Sequence, residues 1–306
     1  MIRTTTTRSQ LTPSSGRRKR VEWFTIINTT FLITAAFICI LPLIHIIAIS
    51  FSSSSAASAG YVKFWPVDFT WSSYEYTASR EAFWRSMWVS IKRIAIGTPL
   101  TLFLITLAAY PLSKESNTFR FRAVYAWGFF ITMLFHGGLI PTYITVKELG
   151  LLDSIWALAL PNAVAIFSVV LLLNFFREVP KDLEEAAFMD GAGYWTTLWK
   201  IYVPISKPAL ATLALFSMVE HWNHWFDGLI YMASPSNYPL QSYLQTIVIQ
   251  QNLMNVTREE LMSLTEISDR TLKASQIFLG SLPIILAYPF LQKYFVKGIV
   301  LGSVKG

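Results

Sequence analysis

Charge is scarce in this sequence. Asp, Glu, Lys and Arg make up only 14% of its 306 residues, where an ordinary soluble domain carries about 25%. The deficit runs along the whole chain and 53% of the residues are hydrophobic, which makes lipid the expected solvent. Cysteine is nearly absent: Cys39 stands alone in an apolar run, which excludes an internal disulfide and any C-x-x-C site. No G-x-x-x-x-G-K-[ST] phosphate loop occurs, so the chain has no recognisable nucleotide site of its own. H-E-x-x-H and G-x-S-x-G are missing as well. Among the four histidines, His45, His136, His221 and His224, only the last two share a helical face, at i, i+3, and no third ligand accompanies them. Polar residues beside tryptophans at a helix end explain that pair better than a metal. No catalytic, cofactor or metal residue is assigned.

Long apolar runs are what the sequence has in quantity. A bilayer core of about 30 Å needs roughly 20 apolar residues in helical form. The first run, Trp23–Phe51, is uncharged and too long for a signal peptide, and is expected to be a retained span. Four more runs qualify or nearly so: Ile94–Leu112, Ala123–Val146, Ser154–Phe176 and Ala274–Gln292. A sixth, Pro208–Ala233, is interrupted by Glu220 and Asp227. The expectation is an all-α membrane protein of six transmembrane helices, with a tail over residues 1–22, a membrane domain over 23–292 and a second tail over 293–306.

Six spans put both termini on one side, and lysine and arginine decide which. Six lie in the N-terminal tail (Arg3, Arg8, Arg17, Arg18, Lys19, Arg20) and three in the second loop (Lys114, Arg120, Arg122). Four more surround the fourth loop (Arg177, Lys181, Lys200, Lys207) and three lie in the C-terminal tail (Lys293, Lys297, Lys305). These are the majority of the 25, so both termini are expected in the cytoplasm of a multi-pass inner-membrane protein. The net charge of +7 then reflects membrane anchoring and not nucleic-acid binding. The connections Ser52–Met87 and Ser234–Lys273 fall outside. Arg85, Lys92 and Arg93 cluster at the start of the second span, where they either face an anionic substrate or snorkel to headgroups.

The fourth loop, about residues 177–207, is the most informative stretch. Pro180 stands at a helix start, acids fill the first turn, and a short amphipathic helix runs from Leu183 to Met189. Asp190-Gly191 breaks it, with Asp190 suited to cap the next helix and Gly191 to a left-handed backbone. Pro204 and Pro208 mark the turn into the fifth span. By pattern alone, an ordinary interfacial helix explains this equally well.

The spacing carries more. Glu185-Ala186-Ala187, three residues, Gly191, nine residues, then Ile201-x-x-Pro204 resembles the EAA loop of ABC importer membrane subunits. Ala109-Tyr110-Pro111-Leu112-Ser113-Lys114 resembles the end of the second span in the maltose-type carbohydrate family. Gly137 to Tyr143, Trp222 to Asp227, Tyr238 to Gln241 and Tyr288 to Phe295 resemble its branch for polysaccharide-derived oligosaccharides, including uronate-containing ones. No large extracellular insertion is present, as in the smaller of the two membrane subunits. The resemblance implies the type I importer fold and a permease that is not itself an enzyme. The implied partners are a second homologous membrane subunit, two ATPase subunits that bind ATP and Mg, an extracytoplasmic solute-binding protein, and lipid. It further implies that Glu184, Glu185, Ala186, Ala187, Asp190, Gly191, Ala192, Ile201 and Pro204 belong to a coupling helix and its loop on the ATPase. By composition alone a frayed basic tail is the plainer explanation of Lys297, Gly298, Gly302 and Lys305; the resemblance implies instead that they reach the ATPase interface.

A route for sugars needs aromatic faces beside hydrogen-bonding groups. The run from Glu220 to Asp227 supplies both inside a span, where ionisable residues usually face a cavity or a partner. Glu220, Trp222, Asn223, Trp225, Phe226 and Asp227 are the path candidates, with His136 beside Gly137-Gly138. The competing explanation is an interfacial tryptophan belt with Asp227 satisfied by a neighbouring helix. A stand-alone secondary transporter would leave the EAA-like loop unexplained and usually shows repeats, which are not apparent. A membrane transferase would need a carboxylate or histidine constellation at one interface, and only Glu220–Asp227 comes near. A non-sugar importer subunit would share the loop but not the branch-specific runs.

Overall fold

The structure, a computed structural model, describes residues 23–135, 137–249 and 268–303, with side chains described up to 247 in the second stretch and 289 in the third. The chain divides into two compact units, residues 1–44 and 45–306. In the first, helix α1 (Trp23–Ser50) presents Trp23, Phe24, Phe31 and Phe37 outward, apolar on every side. A helix hydrophobic all round belongs in lipid or against another apolar surface.

The second unit takes up the end of α1 and continues through α2 (Ser54–Ser58), α3 (Ser72–Ser79), α4 (Glu81–Ser113), α5 (Arg122–Leu134) and α6 (Leu139–Glu148). Then come α7 (Ile155–Ala159), α8 (Ile166–Glu178), α9 (Lys181–Met189), α10 (Tyr194–Thr197), a π-turn (Leu198–Tyr202) and α11 (Val203–Ile205). It closes with α12 (Lys207–Asn223), α13 (Phe226–Tyr231), α14 (Leu240–Ile249) and α15 (Asp269–Ser303). No strand occurs among the described residues. Three helices there are long and apolar enough to cross a bilayer: α1, α4, and α15 over Asp269–Pro289. Counting each sharply bent helix pair as one span raises this to five.

Three expected runs are not continuous helices. Ala123–Val146 becomes α5 and α6, set at 115°. Ser154–Phe176 splits into α7 and α8 around Pro161, and neither part is long enough to span. Pro208–Ala233 breaks between α12 and α13 at His224-Trp225. Hydropathy records only how apolar a stretch is, and neither Gly138 at φ +89 nor the break at Pro161 changes that. Conversely, α4 begins at Glu81, well before Ile94, so Arg85, Lys92 and Arg93 lie within a helix. Arg85 is neutralised by Glu81 one turn earlier, and Lys92 lies over the Trp88 ring. Helix α15 runs on through Lys297, Gly298 and Gly302. Lys305 and His136 lie outside the described residues.

Helix α4 is the central post. Its Ile105, Ala109, Tyr110 and Leu112 pack with Val169, Leu172 and Phe176 of α8, Leu198 and Tyr202, and Ala209 and Leu213 of α12. Further along, small residues let α4 and α12 approach closely, as membrane helices do. Thr98 faces Ser217 at 3.4 Å, and a Cβ on Gly97 would lie 2.4 Å from His221 Nε2. On another side, Asp153 ties the connection after α6 to that after α13. It accepts from Asn237 Nδ2 (3.0 Å), Ala233 N (3.2 Å) and Ser234 N (3.4 Å), and these bonds hold its carboxyl below the usual range.

Gly97→Ala is therefore expected to force the His221 ring out of place and to cost about 1–3 kcal/mol by overpacking. A lowered thermal midpoint of the purified protein in detergent, absent in Gly128→Ala where a Cβ meets open space, checks this.

Candidate functional site

The fourth loop builds its helix as the sequence requires and ends it with a specific lock. Pro180 precedes α9, and Asp182 and Glu184 occupy the first turn, where negative charge suits the helix dipole. At the far end, Gly191 N–H donates to Phe188 O (3.0 Å) and Ala192 N–H to Ala187 O (2.9 Å), with Gly191 at φ +80. This is a Schellman closure, which needs a left-handed residue two positions beyond the last helical one. The Ala187-to-Gly191 spacing is thus the geometry of one helix end. Asp190 is the C-cap of α9 and does not cap the next helix, whose N-cap is Gly193.

Glu184 and Phe188, one turn apart, face the protein, and Phe188 meets Tyr194 edge-on. The Glu184 carboxylate receives Lys114 Nζ at 2.6 Å on Oε1 and the Tyr202 hydroxyl on Oε2. Lys114 caps the C-terminus of α4 and lies between the Tyr110 and Tyr202 rings, 4.1 Å from each centroid. Burial pulls the Lys114 pKa down and Glu184 opposes that shift; burial and then Glu184 push the Tyr202 hydroxyl up. A second, exposed pair joins Lys181 to Glu115. Together they fasten α9 to the end of α4. The π-turn before Pro204 supplies Tyr202, with Ile201 against the core and Pro204 exposed. Asp182, Glu185, Ala186 and Met189, the last 88% exposed, point away from the protein.

The run from Glu220 to Asp227 divides into two faces at the helix break. Trp222 is buried and donates from Nε1 to Gly280 O on α15 (3.1 Å), so it packs the bundle and does not open to a path in this structure. Asp227 is also turned inward, against Arg93 of α4, which is fully buried. Nη1 of Arg93 donates to Asp227 Oδ1 (3.1 Å) and to His224 O (3.1 Å), Nη2 donates to Asp227 Oδ2, and Nε approaches His221 Nδ1 (3.4 Å). Arg93 therefore neither snorkels nor stands at a mouth. The next carbonyl, Trp225 O, accepts from Ser242 Oγ (2.6 Å) and from Leu229 N–H (3.4 Å). Glu220, Asn223, Trp225 and Phe226 are exposed, with the half-exposed His224 ring 4.0 Å from Glu220.

Neither Arg93 nor Lys114 was identifiable as a partner from local spacing. For Arg93 the available signal was a base near one apolar run and the acid Asp227 inside another, which lipid strongly favours pairing; Lys114 and Glu184 stand in polar loop sequence, where many partners are equally near in the chain.

Lys114→Met strands the Glu184 carboxylate, a loss on the order of 3 kcal/mol for a buried pair broken on one side. Amide hydrogen exchange across Lys181–Met189 should then speed up many-fold while that of α4 and α12 stays slow; unchanged protection of α9 would contradict the clamp.

Similarity to known proteins agrees with this arrangement. The profile of the binding-protein-dependent transport system inner membrane component family matches residues 96–300. The polygalacturonan/rhamnogalacturonan transport system permease protein YtcP of Bacillus subtilis is 40% identical over 276 residues, covering 90% of this chain and 96% of that protein. A crystal structure of a bacterial ABC transporter involved in the import of the acidic polysaccharide alginate aligns with TM-score 0.82 and 34% identity, over 93% of this chain and 100% of that one. A structure of bacterial alginate ABC transporter in complex with alginate pentasaccharide-bound periplasmic protein shares the fold alone, at TM-score 0.50 and 15% identity, over 87% and 92% of the two chains. The chain belongs to the family of inner-membrane permease components of binding-protein-dependent transport systems.

Proposed function

We propose that this permease carries uronate-containing oligosaccharides inward across the bacterial inner membrane, beside a second homologous membrane subunit. Two ATPase subunits supply the ATP and Mg, and an extracytoplasmic binding protein delivers the sugar. Both chain termini and α9 lie on the cytoplasmic side, with six spans between the tails, α5–α6, α7–α8 and α12–α13 each serving as a broken one. The substrate class rests on relatives named for acidic polysaccharides. The exposed residues of the break suit sugars: Trp225 and Phe226 offer ring faces, and Asn223 and Glu220 offer hydrogen-bonding edges.

The observation that carries the coupling role is α9 itself. It is clamped to α4 on one face by Glu184, while Glu185, Ala186 and Met189 on the other face are exposed and make no side-chain hydrogen bond or ion pair among the described residues. An amphipathic helix held rigidly and left uncovered on one side suits a groove in another subunit. The C-terminal residues Lys297, Gly298, Gly302 and Lys305 are assigned to the same ATPase interface.

Reconstituted with its ATPase, partner permease and binding protein, the complex should hydrolyse ATP faster with oligogalacturonate or oligoalginate than with neutral oligosaccharides. A Cβ at Gly191 meets nothing within 4 Å among the described residues, so Ala and Trp there share the same left-handed strain of about 1–2 kcal/mol. Gly191→Ala should therefore keep most of the stimulation, and Gly191→Trp should lose it by blocking the docked subunit. Equal activity of the two variants, or a preference for neutral sugars, would contradict the corresponding half of this reading.

A further inference from the structure

Two buried cations sit on one helix. Arg93 and Lys114 are both on or at the end of α4 and are separated by 21 positions. At 1.5 Å per residue that is about 30 Å of helix, the thickness of a bilayer's hydrocarbon core. Each grips an element supplied from far along the chain. Arg93 grips the break between α12 and α13, taking both the Asp227 carboxylate and the orphan carbonyl at the C-cap of α12. Lys114 grips α9 through Glu184. Between them α4 runs unbroken from Glu81 to Ser113, with Pro99 and Pro111 accommodated inside it, whereas α5–α6, α7–α8 and α12–α13 are all interrupted.

From this arrangement, and resting on the function proposed above, we infer that α4 is the rod joining the sugar-facing break to the coupling helix, with Arg93–Asp227 as its upper grip. Arg93 and Asp227 are positioning residues. They set the orientation of the exposed Asn223, Trp225 and Phe226, and they transmit a shift of that break along α4 to Glu184. The chemistry favours a pair made for geometry. A buried ion pair replaced whole by apolar residues of similar size commonly leaves stability unchanged or raised, while loss of one partner strands a charge. A bidentate guanidinium, however, fixes distance and angle in a way that apolar contact does not. Close packing of Gly97 on His221, one turn along α4, leaves little slack beside the grip.

The test is a cycle on the full reconstituted complex. Arg93→Met with Asp227→Leu removes both charges together, and Lys114→Met cuts the other grip. The doubly apolar variant is expected to assemble with a thermal midpoint within a few degrees of the parent. Its sugar-stimulated ATP hydrolysis should fall at least about tenfold in kcat, with KM for the loaded binding protein changing less than about twofold. Adding Lys114→Met should lower it little further, because two cuts in one rod are not additive. Parent-like stimulation, failure to assemble, a change confined to KM, or effects that multiply would each overturn the inference. Gly191→Trp, measured alongside, separates the two claims. If it uncouples while the doubly apolar variant does not, the rod fails and the coupling loop stands; if Gly191→Trp is active, the coupling reading itself fails.

Discussion

The structure depends on where α4 keeps its two buried cations. A membrane-embedded chain with so few charges holds them at high energetic stakes, because a charge in a low-dielectric interior must be paired and hydrogen-bonded or it is expelled. Arg93 and Lys114 are satisfied by different means. Arg93 has a carboxylate and a backbone carbonyl, and Lys114 has a carboxylate between two aromatic faces. In each case the acid is supplied from far along the chain, by Asp227 and Glu184 respectively. The two pairs thereby determine which segments close on α4, and the apolar contacts with α8 and α12 fill the space between them.

The same constraint explains how the chain tolerates broken helices. An interrupted span exposes carbonyls that lipid cannot satisfy, so irregular backbone survives there only when protein or a water-filled route meets it. At the α12–α13 break both adjacent carbonyls are met: His224 by Arg93 and Trp225 by Ser242. The break is thus a stable feature and can hold aromatic and polar side chains outward on a short, oriented segment. Discontinuous helices beside a substrate route are a recurring device in membrane transporters.

The lipid environment, the helical class and the short helix of the fourth loop were legible in the sequence, for physical reasons. Apolar length is additive and needs no partner. The loop from Glu185 to Pro204 encodes a helix end whose closure is local, with Gly191 as its left-handed residue. What escaped was everything decided by a second segment. Arg93 read as a headgroup or substrate contact because Asp227 is more than a hundred residues away, and Trp222 read as a path residue although Gly280 takes its indole N–H. The breaks at Pro161 and His224-Trp225 were hidden because a hydropathy window averages across them.

On the function proposed above, the ATPase docks on the exposed face of α9, which the Lys114–Glu184 clamp holds out from α4. A photo-activatable cross-linker at Met189 in the assembled complex tests it directly. The account predicts a major adduct with the ATPase subunit whose yield changes when nucleotide is added. Adducts with lipid or the partner permease alone, indifferent to nucleotide, would contradict it.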